Sequence, residues 1–252
     1  MNFNYLRKKR KIVMLTAYDY QMAKILDEAG IDLILVGDSL GMVVLGHEDT
    51  KSVTVEDMIH HTRAVGRGAK NTPVIGDMPI NSCNTVEDAL KNAKRFLDAG
   101  AHGVKIEGNR PEIVKALLKE GIPVMGHVGL LPQRAERYRL KGKEKDEAKK
   151  IFRDALELDK MGVFAIVLEC IPEGLAKRIS GTVKTPTIGI GAGKYCDGQV
   201  LVVNDMLGFD KVFSPKYLKR YANLGTEIKK AVATFKTEVL EETYPDEEHT
   251  YH

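Results

Sequence analysis

Eight short apolar runs recur along the chain, each rich in β-branched residues: IVMLTAYD, LILVGDS, VIGDMP, GVKIEG, PVMGHVG, FAIVLEC, TPTIGIGAG and QVLVVND. Runs of this length and content read as strands of a parallel sheet covered on both faces. Between them lie amphipathic stretches with helical spacing: YQMAKILDEAG, TVEDMIHHTRAVGRGA, TVEDALKNAKRFLDAG, RPEIVKALLKEG, EAKKIFRDALELDKMG and PEGLAKRISGTVK. Four exits share one form, EAG before IDLILV, DAG before AHGVKI, KEG before IPVM and KMG before VFAIV. Glycine there suits a helix C-cap. Strands and helices alternating throughout predict an α/β fold, a (β/α)8 TIM-type barrel, with an open doubly wound sheet as the alternative. The segment SPKYLKRYANLGTEIKKAVATFKTEVLEETYPDEEHTYH predicts an additional C-terminal helix and a polar tail.

A length of 252 residues and 43% hydrophobic content fit a single barrel domain spanning residues 1–252. The formal charge of +3 is spread along the chain, apart from the basic start RKKRK and the segment RAERYRLKGKEKDEAKK, where acids interrupt the bases. Both read as solvated surface, so no nucleic-acid partner is expected. Cys83, Cys170 and Cys196 are odd in number and widely spaced, which fits a reducing compartment and neither a disulfide framework nor a zinc pattern. The start lacks the apolar core of a signal peptide, and no apolar run approaches the roughly 20 residues needed to span a bilayer. A cytoplasmic enzyme without a membrane partner is the expectation.

Candidate chemistry lies where the strands end. Barrel enzymes build their sites from the loops at the carboxyl ends of the strands, and single carboxylates close four runs: Asp38, Asp77, Glu107 and Glu169. Asp38, Asp77 and Glu107 come from three different strands and could face one point. Hard oxygen donors without paired cysteines or a HExxH helix favour Mg²⁺. The competing reading is that each acid caps the helix that follows. Asp19, closing LTAYD, is a weaker candidate of the same kind.

Lys105 precedes Glu107 by two residues and so shares its side of the strand, as a holder of a substrate carboxylate or as an ion-paired lysine. His127, between the glycines of GHVG, faces a ligand or is structural. Glu169 follows AIVL, where desolvation would raise its pKa toward that of a general base; an internal ion pair is the alternative. GIGAGK has GxGxG spacing and reads as a phosphate cradle or a tight turn beside a ligand.

The strings TAYDY, VGDSLGM, GHEDT, GDMP, VKIEG, GHVGLLPQ, LEC with its following proline, IGIGAG before DGQ, and YP..EH together resemble, in order and spacing, the ketopantoate (3-methyl-2-oxobutanoate) hydroxymethyltransferases of pantothenate biosynthesis. The resemblance implies transfer of a hydroxymethyl group from 5,10-methylenetetrahydrofolate to 3-methyl-2-oxobutanoate, giving 2-dehydropantoate. It implies one Mg²⁺ per subunit and a homo-oligomer, often a decamer. By their places in these strings, Asp38, Asp77 and Glu107 match the family's metal acids. Asp38, Ser39, Asp77 and Lys105 match its keto-acid contacts, Glu169 its proton acceptor, and His127 a site histidine near the substrate. The residue types suit this chemistry: a 2-oxo acid chelates Mg²⁺, which stabilises an enolate once a base removes the C3 proton.

The chain departs from the family pattern in three places. Ile80 and Cys83 stand after GDMP where an aromatic pair is common. ERYRLKGK, with Arg137 and Lys141, follows LLPQ in place of a form such as GGFKVQGK, and FSPKYLKRYA lacks the usual histidine before its proline. These changes bear on the substrate pocket and on folate and subunit contacts, and leave the metal acids intact. A Mg²⁺-dependent lyase or mutase of the isocitrate lyase type shares the barrel and rim acids, but its KKCGH-like loop is missing from the sequence. A non-catalytic barrel predicts decay of the acid set, yet every member is present.

Overall fold

The computed structural model describes residues 3–7 and 10–252, so the basic start RKKRK lies partly outside the described residues. The chain divides into two compact units, Met1–Val202 and Val203–His252.

In the first unit eight strands, β1 (Ile12–Thr16), β2 (Leu33–Val36), β3 (Val74–Asp77), β4 (Gly103–Glu107), β5 (Val124–Gly129), β6 (Ala165–Glu169), β7 (Thr187–Ile190) and β8 (Gly198–Leu201), pair in sequence order. All pairs are parallel, and β8 pairs with β1 to close the barrel, which excludes the open sheet. The helices of this unit are α1 (Tyr20–Glu28), α2 (Leu40–Val43), α3 (Val55–Gly68), α4 (Val86–Asp98), α5 (Pro111–Lys119), α6 (Lys145–Met161) and α7 (Glu173–Ser180). Thr54 caps α3 and forms a reciprocal capping box with Asp57, while Thr85 caps α4. The glycines of the four shared exits, Gly30, Gly100, Gly121 and Gly162, all take positive φ, as a helix exit demands.

The alternation fails at one point. Residues 191–197, between β7 and β8, form no helix. Gly191 and Gly193 turn the chain with φ of 65° and 79°, and Gln199 Nε2 donates to the Gly193 carbonyl at 2.9 Å. The Lys194 N–H points at Glu173 Oε1 at 3.5 Å, a carboxylate where a phosphate would have to sit. GIGAGK is therefore a tight turn.

The period of two along the strands divides the barrel interior into an apolar floor and a charged rim. Ile12, Met14, Leu33, Leu35, Ile75, Met125, Ala165, Val167, Ile188 and Val200 form one buried cluster with Phe3 and Leu6, and Phe3 stacks on Phe164 with ring centroids 4.0 Å apart. Continuing the same inward parity upward reaches Asp77 after Ile75, His127 after Met125 and Glu169 after Val167. Outside the barrel Gly76 lies against α4, where an added Cβ would stand 2.3 Å from the Phe96 ring.

The second unit contains α8 (Val203–Leu207) and α9 (Leu224–Leu240), the expected C-terminal helix. Ile228, Val232, Phe235 and Val239 lie on one stripe of α9 and are exposed. Among the described residues no helix is long and apolar enough to cross a membrane.

Candidate active site

Strand pairing brings the candidate residues together at the carboxyl rim. Asp77 is in register with Lys105, Glu107 with His127, and Gly129 with Glu169. Lys105 Nζ donates to both oxygens of Asp77, at 2.8 and 2.7 Å. Asp77 Oδ2 also accepts from the Asp38 N–H at 3.3 Å, which ties the loop after β2 to β3. His127 Nε2 lies 3.2 Å from Glu169 Oε2, and its Nδ1 lies 3.7 Å from Glu107 Oε1. Neither approach is aligned as a hydrogen bond, so both ring nitrogens and Glu107 Oε1 are buried without such a partner.

Asp38, Asp77, Lys105, Glu107 and His127 are all buried, and the Glu169 side chain keeps 15% exposure. Ser39 stands beside them and starts α2, but its hydroxyl does not cap the helix; it pairs with Tyr18 Oη at 2.8 Å. The capping alternative fails for all four strand-ending acids, because Ser39, Thr85, Arg110 and Pro172 occupy the N-cap positions that follow them. Asp19 does cap α1, accepting from the Met22 N–H at 2.8 Å.

Backbone geometry holds Glu169 in place. Gly129 takes φ of 103°, and a Cβ there would meet the Glu169 carbonyl at 2.3 Å. That carbonyl accepts from Leu130 N–H at 2.9 Å. The next residue, Cys170, has φ of 46°, a left-handed conformation costly for a non-glycine residue.

Two residues joined to the site carry no signal of period or strand position. Gln133, in the 3-10 turn Pro132–Arg134 after β5, is buried against Asp38 and Glu107. Tyr138, from the segment after LLPQ, places its hydroxyl 3.9 Å from Met42 Sδ. A glutamine directly after an apolar strand and turn, in HVGLLPQ, is the sequence mark that could have found the first. Cys83, the departure after GDMP, is buried and accepts from Arg110 Nη1 at 3.2 Å. Two bases of the segment after LLPQ, Arg139 and Lys141, lie 3.4 and 3.6 Å from Glu147.

Electrostatics follow from burying four carboxylates around one ammonium. Burial and then Asp77 push the Asp38 carboxyl up to about 7, against the pull of Lys105 and the Gln133 hydrogen bond. Glu107 is raised well above the usual range, chiefly by burial, with Asp38, Asp77 and Glu169 adding and Lys105 opposing. For Lys105 burial pulls downward, but Asp77, Glu107 and Asp38 outweigh it and secure the charge. His127 is lowered by burial and by Lys105, which favours neutral imidazole. Burial, then Asp38 and Glu169, raises Tyr138 to about 12.

These shifts set a pH dependence. Folded Asp38 keeps its proton up to about 7, whereas an unfolded aspartate loses its proton near pH ~4. Between these values the folded state binds more protons, so this group's contribution to stability falls as pH rises. Urea midpoints of the metal-free protein should therefore favour Asp38→Asn over wild type increasingly from about pH 4 to about pH 7, and level off above that. A pH-independent difference between the two proteins would refute this.

The acid set fits a divalent cation. Its donors are hard oxygens, Glu107 Oε1 lacks a hydrogen-bond partner, and four carboxylates outnumber the single ammonium. Among the described residues no three His, Cys, Asp or Glu side chains stand together so as to hold a metal ion between them. Mg²⁺ suits such a site because it keeps several waters and takes only one or two carboxylates directly.

A closed barrel whose rim gathers buried acids, a charged lysine and a neutral histidine defines an enzyme of the (β/α)8 class acting on a small molecule. The family model described as Ketopantoate hydroxymethyltransferase matches residues 2–247. The chain is 56% identical over 248 residues to the 3-methyl-2-oxobutanoate hydroxymethyltransferase of Clostridium kluyveri, covering 96% of this chain and 89% of the relative. It is 53% identical over 252 residues to the enzyme of the same name from Syntrophus aciditrophicus, covering 97% and 93%. The chain belongs to the ketopantoate hydroxymethyltransferase family and is a transferase. Among solved structures, phosphoenolpyruvate phosphomutase from Streptomyces platensis subsp. rosaceus superposes with a TM-score of 0.63 at 14% identity, covering 98% of this chain and 89% of that one. That likeness concerns the fold alone.

Proposed function

We propose that this protein transfers a hydroxymethyl group from 5,10-methylenetetrahydrofolate to 3-methyl-2-oxobutanoate, giving 2-dehydropantoate, with one Mg²⁺ per subunit. Within the family just identified, the observation that carries the residue assignments is one buried rim joining surplus carboxylates to a charged lysine and a facing glutamate. Asp38, Asp77 and Glu107 would hold the metal. When bound, Mg²⁺ draws charge from the keto oxygen and lowers the cost of removing the C3 proton.

Lys105 has three N–H donors, of which Asp77 takes two; the third is available to the substrate carboxylate. Ser39, oriented by Tyr18, donates to the same end of the keto acid. Glu169, the most exposed carboxylate of the set, takes the C3 proton. Neutral His127 stands beside Glu169 without adding a competing positive charge, and donates a hydrogen bond near the substrate. The enolate carbon then bonds to the one-carbon unit as both of that unit's bonds to the folate nitrogens break. A water supplies its hydroxyl oxygen, and the two nitrogens take up the C3 proton and one proton of that water, leaving tetrahydrofolate.

A homo-oligomer, a decamer by the family resemblance, fits the exposed apolar stripe Ile228, Val232, Phe235 and Val239 on α9. Three free thiols fit a cytoplasmic, reducing setting. The test is incubation with 3-methyl-2-oxobutanoate, methylenetetrahydrofolate and Mg²⁺. 2-Dehydropantoate should form, cease with chelator and return with added metal. Failure to form it under every divalent metal tried would overturn the assignment.

A further inference from the structure

The string GHVGLLPQ ends in a residue for which the proposed chemistry has assigned no task. Gln133 is 7% exposed and makes three hydrogen bonds, all with the acid cluster or the strand end that carries it. Its backbone N–H donates to Glu107 Oε2 at 3.2 Å. Its side-chain Nε2 donates to Asp38 Oδ2 at 2.9 Å and to the Met78 carbonyl, one residue beyond Asp77, at 3.0 Å. Both side-chain partners are acceptors. An amide turned the other way would set its oxygen against two oxygens, so the donating orientation is dictated by chemistry.

One residue thus braces carboxylates from two strand ends and the backbone beside the third. It engages a single oxygen of Asp38 and a single oxygen of Glu107, and Glu107 Oε1 is left without a hydrogen-bond partner. Such a brace fixes carboxylate rotation without occupying both lone-pair faces. Partners of this kind around metal ligands are commonly worth ten- to hundred-fold in metal affinity. The 3-10 turn at Pro132–Arg134 supports the placement, with Arg134 N–H returning to Leu131 carbonyl at 3.0 Å.

We infer that Gln133 is a positioning residue for the divalent cation, orienting Asp38 through its side chain and Glu107 through its backbone. The inference rests on the reading of those two acids as metal ligands. Mn²⁺ alone is the probe, with free Mn²⁺ followed by electron paramagnetic resonance in the full-length protein. Gln133→Met keeps length and removes the donor; Gln133→Asn keeps the amide but withdraws it by one methylene. Each variant should bind Mn²⁺ about ten- to hundred-fold more weakly than wild type while remaining folded in the absence of metal.

A merely structural role predicts a lower metal-free Tm with Mn²⁺ affinity unchanged. Affinity within about twofold of wild type in a folded variant overturns the inference and leaves the metal site standing. If wild type itself fails to bind Mn²⁺, the reading of the acids as a metal site falls, and the inference falls with it. Should Gln133→Met not fold, Gln133→Asn alone decides between these outcomes.

Discussion

Glu169→Gln should lower kcat by about 10²–10⁴-fold and abolish exchange of the C3 proton of 3-methyl-2-oxobutanoate with solvent. The amide matches the carboxylate in shape and keeps an oxygen toward His127 Nε2, which now lies 3.2 Å from Glu169 Oε2. What it loses is the ability to accept a proton. Binding should survive, because Lys105, Ser39 and the Asp38 and Asp77 pair lie elsewhere on the rim. KM for the keto acid should therefore change far less than kcat. Deuterium exchange into the keto acid, followed by NMR without folate, isolates the step. Exchange at the wild-type rate would remove Glu169 from the role of base.

The second large effect concerns stability as much as activity. Lys105 Nζ and Asp77 form a buried, two-pronged ion pair, with side chains 6% and 2% exposed. Lys105→Met removes the cation and leaves Asp77 among three other acids with no compensating charge. Breaking a buried pair from one side costs about 3–5 kcal/mol, because the remaining charge stays desolvated. The unfolding free energy should fall by about that amount. Adding Asp77→Asn should restore much of it, since the stranded charge is gone. Activity should stay lost in both proteins, as neither retains the ammonium proposed to hold the substrate carboxylate. A Lys105→Met protein within about 1 kcal/mol of wild type would show that the pair does not hold the rim together.

Much of this arrangement was legible in the sequence because one rule writes both floor and rim. The two-residue period that buries Met125 and Val167 also turns His127 and Glu169 inward, and strand register then sets Asp77 beside Lys105. The glycine exits named the helix ends, and all four took the left-handed conformation expected of them. Loops broke the rule. Strands and helices were expected to alternate throughout, yet the positive-φ glycines of GIGAGK, read as a phosphate cradle or a tight turn, leave no helix between β7 and β8. Gln133 reaches the site from a 3-10 turn, and Tyr138 feels its acids from an irregular segment, where neither period nor register says which way a side chain points. Tyr18 likewise had no strand-end carboxylate to advertise it, though it orients Ser39.

The stacked Phe3 and Phe164, and the apolar cluster above them, close the barrel from its amino-terminal side. A vessel sealed at the bottom has one doorway. Any small molecule that touches the buried acids therefore comes and goes past the loops that follow the strands. The chemistry at the top of the barrel thus inherits its route of access from the packing at the bottom.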